Sequence, residues 1–191
     1  MALFFTADHH FGHANIIKMC ARPFDSVLEM DEDLVRRWNE VVGSDDDVWH
    51  LGDFACRCHP RHMADVFNRL NGRKRLVTGN HDNGATLALR WAAPPVPYAE
   101  LDAEVSGRRT RIILFHYALR TWNQSRRGAI HLYGHSHGRL PGVGNSTDVG
   151  VDAWDYRPAS LDEIAKRLAE AATGSIGENP EGGRDGTTDG A

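Results

Sequence analysis

Leu3-Phe4-Phe5-Thr6-Ala7-Asp8-His9-His10-Phe11-Gly12-His13 opens the chain with a short apolar run that stops on an acid and two imidazoles. Such a run fits a buried central β-strand that hands over to a loop at Asp8. The same pattern returns four times. Runs over residues 48–51, 73–78, 110–115 and 130–133 stop at Gly52-Asp53, at Gly79-Asn80-His81-Asp82, at His116 and at Gly134-His135-Ser136-His137. Open α/β sheets place ligand sites at the C-terminal ends of their strands, so these ends point to one shared site.

Helical patterns lie between the early runs. Over residues 31–42, Leu34, Val35, Trp38, Val41 and Val42 share one face, with acidic residues in the first turn where the helix dipole favours them. Pro60 suits a first helical position, and Met63, Val66, Phe67 and Leu70 repeat at helical spacing after it. A short helix is expected over 86–91, ended by Pro94-Pro95. The second half is richer in strands: a hairpin of 100–105 and 110–115 around Ser106-Gly107, then strands at 130–133 and 147–151. Ser160-Leu161-Asp162-Glu163 matches a capping box, opening a last helix with Leu161, Ile164, Ala165, Leu168 and Ala172 on one face. The class is α/β. The expected architecture is a four-layer α/β/β/α sandwich of two mixed β-sheets flanked by helices.

Composition bounds the rest. The 191 residues suffice for one domain, expected over 1–173, with an acidic, glycine-rich tail over 174–191 that reads as disordered. Apolar residues make up 41% and charged residues 25%, as in soluble globular proteins, and no apolar stretch is long enough to span a bilayer. The opening residues lack a basic region and read as a strand, not a secretory signal, and three cysteines do not make a disulfide framework. A cytoplasmic location follows as the expectation. The net charge of −4 sits mostly in the tail, where Glu178, Glu181, Asp185 and Asp189 face only Arg184. A nearly neutral body offers no field for non-specific nucleic-acid binding, yet bound dications would still admit a phosphate-bearing substrate.

Each block taken alone has a plain alternative. Gly-Asp and Asn-His-Asp are ordinary turn chemistry, and a lone His116 after an apolar run is more often a hydrogen-bonded structural residue than a ligand. Asp8 and His10, two apart in extended backbone, point the same way, while His9 points to the other side as a structural residue. His135 and His137, set between glycines, have few bland explanations. His13 and Asn15 are candidates for substrate contact, with capping of a helix near Ala14 as the alternative. Arg120 and Trp122 are candidates for the pocket wall, against a surface arginine beside a packing tryptophan. Cys56-Arg57-Cys58-His59, with His62 nearby, has the wrong spacing for a zinc knuckle and reads as ordinary reduced thiols.

Taken together and in order, Asp-X-His, Gly-Asp, Gly-Asn-His-Asp, His and Gly-His-X-His, the blocks resemble the calcineurin-like metallophosphoesterase superfamily, covering the body from Asp8 to His137. Phe11-Gly12-His13-Ala14-Asn15-Ile16-Ile17 and the segments Val149-Gly150-Val151-Asp152 and Tyr156-Arg157-Pro158 are similar to a small bacterial and phage branch of it. The resemblance implies two divalent metal ions, Mn2+ first, with Fe, Zn, Ni or Co as alternatives. It places Asp8, His10, Asp53 and His137 on the first and Asn80, His116 and His135 on the second, with Asp53 bridging. His81 would stand beside the substrate with Asp82 orienting its imidazole. The implied reaction is hydrolysis of a phosphodiester or phosphomonoester by in-line attack of a metal-bridging water or hydroxide. The expected partner is a small phosphoester. A nuclease acting on DNA or RNA ends would need a basic track, for which Arg108, Arg109, Arg111, Arg120, Arg126 and Arg127 are the candidates. A metal-bound interaction module without catalysis is the other competing reading.

Overall fold

A computed structural model describes residues 1–174 of the chain. The tail expected over 174–191 lies outside the described residues, apart from Gly174, which ends the last helix.

The first sheet has strand order β3-β2-β1-β8, built from β1 (Leu3–Thr6), β2 (Asp47–His50), β3 (Arg73–Leu76) and β8 (Ala159–Ser160). The three early strands run parallel and β8 pairs antiparallel with β1. The second sheet has order β4-β5-β6-β7, from β4 (Tyr98–Val105), β5 (Arg108–Phe115), β6 (Ile130–Tyr133) and β7 (Ser146–Asp148). There β4 and β5 form an antiparallel hairpin, and β5, β6 and β7 run parallel. Both sheets are thus mixed. The hairpin turn is Ser106-Gly107, both at positive φ, which matches the right-handed strand twist.

Alternation along the strands divides the core in two. Phe4 and Val48 face one side, where they meet α1 (Ala14–Met19), α2 (Val27–Val41) and α3 (Pro60–Arg69) through Ile16, Leu34, Trp38, Val66 and Phe67. Phe5, Leu51 and Val77 face the other side and meet Ile112, Leu114, Ile130 and Leu132 of the second sheet. The last helix, α5 (Leu161–Gly174), adds Leu161, Ile164 and Leu168 to that inter-sheet core. The outer side of the hairpin carries Asp102 opposite Arg111, and Glu100 within reach of it, as cross-strand ion pairs. Such a solvated, charge-paired face has no apolar stripe for a helix to cover.

Local expectations hold with shifted ends. Helix α2 starts four residues before residue 31, because Ser26 caps it by accepting the Glu29 N–H. Pro60 does occupy the first position of α3, and Ser160 and Glu163 form the reciprocal capping box of α5. The short helix expected over 86–91 is α4 (Gly84–Leu87), set earlier because Asn83 caps it. The strand expected over 147–151 is confined to β7, since Val151 begins a 3-10 turn. The two-residue β8 carries too short a pattern to be read in advance. Among the described residues, no helix is long and apolar enough to cross a membrane.

Candidate metal centre

Five loops leave the C-terminal ends of β1, β2, β3, β5 and β6, and backbone hydrogen bonds tie them together. Asp8 donates its N–H to the Gly52 carbonyl, His10 to Asp53, and Gly134 to His116. A bridge between Ala7 and Gly150 joins the two sheets at this rim. Close approach demands glycine here: a Cβ on Gly52, at φ +96°, would stand 2.5 Å from the Gly79 nitrogen and 2.6 Å from His116 Nδ1.

The side chains converge as two groups. Asp8, His10 and His137 bring ligand atoms within 4.8 Å of one another, and so do Asp53, His116 and His135. Asp53 joins the groups. Its Oδ2 lies 3.5 Å from His10 Nε2 and 3.5 Å from His116 Nε2. Asn80 Oδ1 completes the second group, 3.1 Å from His116 Nε2.

Asp53, Asp8, His116 and His137 are each anchored through one atom, with another turned toward the group. Asp53 Oδ1 accepts the His81 N–H at 2.8 Å, which turns Oδ2 toward His10 and His116. Asp8 Oδ2 accepts the His135 N–H at 2.8 Å, and its buried Oδ1 has no partner. His116 Nδ1 donates to the Leu51 carbonyl at 2.7 Å, which turns Nε2 toward Asp53. His137 Nδ1 donates to Asp152 Oδ2 at 2.7 Å. Both ring nitrogens of His10 are buried without a hydrogen bond. Anchored ligands whose remaining nitrogens and oxygens face one space are what divalent cations require. The residues fit two such ions.

Electrostatics point the same way. Burial pushes the Asp8 carboxyl up to about 8 against the pull of His137 and His116. Burial also holds His10 down, at about 3, only partly offset by Asp53. Asp53 is pushed up by burial as well, yet the His116 hydrogen bond and charge and the His81 N–H outweigh that and keep it at about 2. His116 and His137 are lowered by burial and raised more by Asp53 and by Asp152 respectively. A buried carboxylate and a bare imidazole without partners are costly, and a cation would relieve both.

The backbone departs from expectation. Asp8, His10, Asp53, His135 and His137 all have positive φ, between 51° and 66°, so the paired side chains are aimed by left-handed residues, not by extended strand. Outside glycine this conformation costs roughly 1 kcal/mol or more per residue, and it gathers at functional sites.

Two assignments need correction. Asp82 does not orient the His81 imidazole: its carboxylate accepts the backbone N–H groups of Gly79, Asp53 and Phe54, because the chain folds the acid back under its own turn. His81 Nδ1 instead meets Cys56 Sγ, at 3.6 Å. Arg120 is exposed and does not line the cleft; it is Tyr117, next to His116, that stands edge-on against His135 and donates to Asn80 Oδ1. Trp122 packs over His131 and donates to the Ala129 carbonyl, the packing role.

His13 and Asn15 do line the cleft, of about 550 Å3, with His10, Cys56, Arg57, Asn80, His81 and His137 among its other walls. His13 precedes α1 without capping it by its side chain. His9 is structural as expected, its Nδ1 2.9 Å from His50 Nε2.

Several residues escaped the sequence. Arg22, fully buried, pairs with Asp152 through Nε and Nη2, both at 2.8 Å, and donates to the carbonyls of Asp8 and His9. Asp148 holds the other loop, accepting Ser136 Oγ and the Gly138 and Gly150 N–H groups. Arg22 carries no local signal; a lone arginine between helix and turn reads as surface.

The uncharacterized protein MJ1445 of Methanocaldococcus jannaschii is 31% identical over 174 residues, spanning 87% of this chain and 90% of that protein. The chain belongs to the MJ1445 family. Gene 66 proteins of Mycobacterium phages L5 and D29 are each 29% identical, covering 84% and 90% of the chain and 90% and 98% of their own lengths. No family model matches the chain. Among solved structures, the protein of unknown function AQ665 from Aquifex aeolicus superposes with a TM-score of 0.70 at 25% identity, over 87% of this chain and 98% of that one. The fold of this MJ1445 relative therefore recurs nearly end to end in AQ665.

Proposed function

We propose that the protein is a dinuclear-metal-dependent phosphoester hydrolase with a calcineurin-like metallophosphoesterase fold. The observation that carries the reading is Asp53 Oδ2, equidistant from His10 Nε2 and His116 Nε2 at 3.5 Å. A carboxylate between two imidazole-rich groups offsets the repulsion of two adjacent cations. Asp8, His10, Asp53 and His137 would hold one divalent ion and Asp53, Asn80, His116 and His135 the other. When bound, such a pair supplies Lewis acidity to the phosphoryl oxygens and an activated water.

The chain's own residues do the rest. His81, exposed at the mouth with its backbone fixed to Asp53, is placed to give a proton to the departing alkoxide. Arg57 and His13 border the same cleft and offer donors for the phosphoester's free oxygens.

A small phosphoester suits the site better than a nucleic acid. Arg108, Arg109, Arg111 and Arg127 line one cavity, but Arg108 begins β5 while His116 follows its end. Eight residues of strand separate them by about 26 Å. Arg109 and Arg111 are moreover neutralised by Asp102 and Glu100.

Hydrolysis of bis-p-nitrophenyl phosphate and p-nitrophenyl phosphate by metal-stripped protein, reloaded with Mn, Ni, Co, Zn or Mg, tests the proposal. Turnover restored by Mn2+ and abolished in Asp53→Ala is expected. Absence of turnover with every metal, in protein that binds two equivalents, would leave the non-catalytic metal-bound module as the function.

A further inference from the structure

One cluster in the cleft shares His10 with the dinuclear pair and adds His13 and Cys56, which that pair does not use. The Phe11 and Ala55 segments pair as a β-bridge, with the Cys56 N–H donated to the Phe11 carbonyl. That pairing sets Cys56 beside the loop that carries His10 and His13. Ligand atoms of His10, His13 and Cys56 lie within 4.8 Å of one another. All three residues are more than nine-tenths buried, at 2%, 9% and 7% exposure. His13 Nδ1 and both nitrogens of His10 have no hydrogen-bond partner. Buried imidazole nitrogens beside a thiol, without hydrogen-bond partners, are the donor set a soft cation takes.

We infer that His10, His13 and Cys56 form an alternative site for a soft divalent cation, Zn2+ by class, which competes with the dinuclear pair for His10. A thiolate with two imidazoles selects zinc or cobalt, whereas manganese and magnesium prefer oxygen donors. His81, with Nδ1 3.6 Å from Cys56 Sγ, supplies a fourth donor. Binding converts the Cys56 thiol to thiolate, the proton leaving to solvent. Among the described residues, the other thiol in a candidate ligand group is Cys20, with His137 and Asp152. That group is already satisfied, because Asp152 accepts from both His137 and Arg22. A cation at Cys56 draws on His10 and His81, so its occupancy withdraws two groups from the proposed hydrolytic centre. The site stands on its own, whether or not that centre hydrolyses phosphoesters.

Anaerobic titration of metal-free protein with Co2+ tests it. The dinuclear ligands are only oxygen and nitrogen, so a thiolate-to-cobalt charge-transfer absorption reports this site alone. The band is expected in the wild type and in Cys20→Ser and Cys58→Ser, and is expected to vanish in Cys56→Ser. Absence of the band in the wild type, or its survival in Cys56→Ser, overturns the inference. His13→Ala leaves the thiol in place and guards against misfolding of the cysteine variant. Loss of an outer partner of a ligand already costs roughly 10–100-fold in affinity, so loss of this ligand should weaken the band's cobalt affinity at least about tenfold. Unchanged affinity in His13→Ala also refutes the site.

Discussion

Asp82 Oδ2 accepts the backbone N–H of Asp53 at 2.9 Å, and so fixes the carboxylate that faces both candidate ligand groups. The same carboxylate also takes the N–H groups of Gly79 and Phe54. It is therefore a clamp between the β2 and β3 loops. Asp82→Ala would strand three donors, each costing about 1–3 kcal/mol if left unpaired. The expected result is a lower Tm together with reduced metal content, read by calorimetry and elemental analysis. If metal content stayed full and only the pH profile of turnover moved, Asp82 would be acting on His81 after all.

His81 makes the opposite prediction. Its backbone N–H holds Asp53, but its exposed side chain holds no ligand of the dinuclear pair. His81→Ala and His81→Gln should keep both ions and lose about 10²–10⁴-fold in kcat, the usual worth of a placed proton donor. Full turnover in a metal-replete His81→Ala protein would remove that role.

Asp152 and Arg22 form the buried brace behind the centre. Arg22 Nη2 reaches the Asp8 carbonyl, and Asp152 Oδ2 holds His137 Nδ1. Asp152→Ala leaves the Arg22 guanidinium buried and unpaired, a loss of about 3–5 kcal/mol. It also frees the His137 ring, so first-ion affinity should fall roughly 10–100-fold. Asp152→Glu, which can keep the ion pair at altered reach, should recover stability more than affinity. Equal recovery of both would assign Asp152 to folding alone.

The ligand groups were legible because their residue types are rare together and each ends an apolar run. Seven residues named from the sequence, Asp8, His10, Asp53, Asn80, His116, His135 and His137, converge in space. Their aiming was not legible: alternation along extended strand predicts the right pairs for the wrong reason, since five of these residues are left-handed. Asp82 was misread because its role was carried over by resemblance, which says nothing of a carboxylate that turns back to Gly79 N–H. Arg22 was missed because its partner, Asp152, is 130 residues away. The start of α2 was missed because acidic Asp31 looked like a first turn, while Ser26 does the capping.

Protons should accompany metal uptake, and Asp8 decides how many. In the folded, metal-free protein burial lifts its carboxyl from 3.8 to about 8. Between those values the folded form keeps a proton that the unfolded chain has released. Its contribution to stability is thus fully present below about pH 4 and is lost as pH rises to about 8. His10 works with the opposite sign: held near 3 by burial, it stabilises above its ordinary 6.5 and loses this as pH falls. The Asp8 part is isolated by comparison with Asp8→Asn, which has no proton to lose. In chelator, wild-type stability to denaturant should fall relative to Asp8→Asn as pH climbs from 5 to 8. Calorimetric titration with Mn2+ at pH 7, in buffers of different ionisation enthalpy, should show about one proton more released by the wild type than by the variant. Parallel stability curves for the two proteins would mean that Asp8 is already ionised in the fold, and that its open oxygen is held by something other than a proton or a cation.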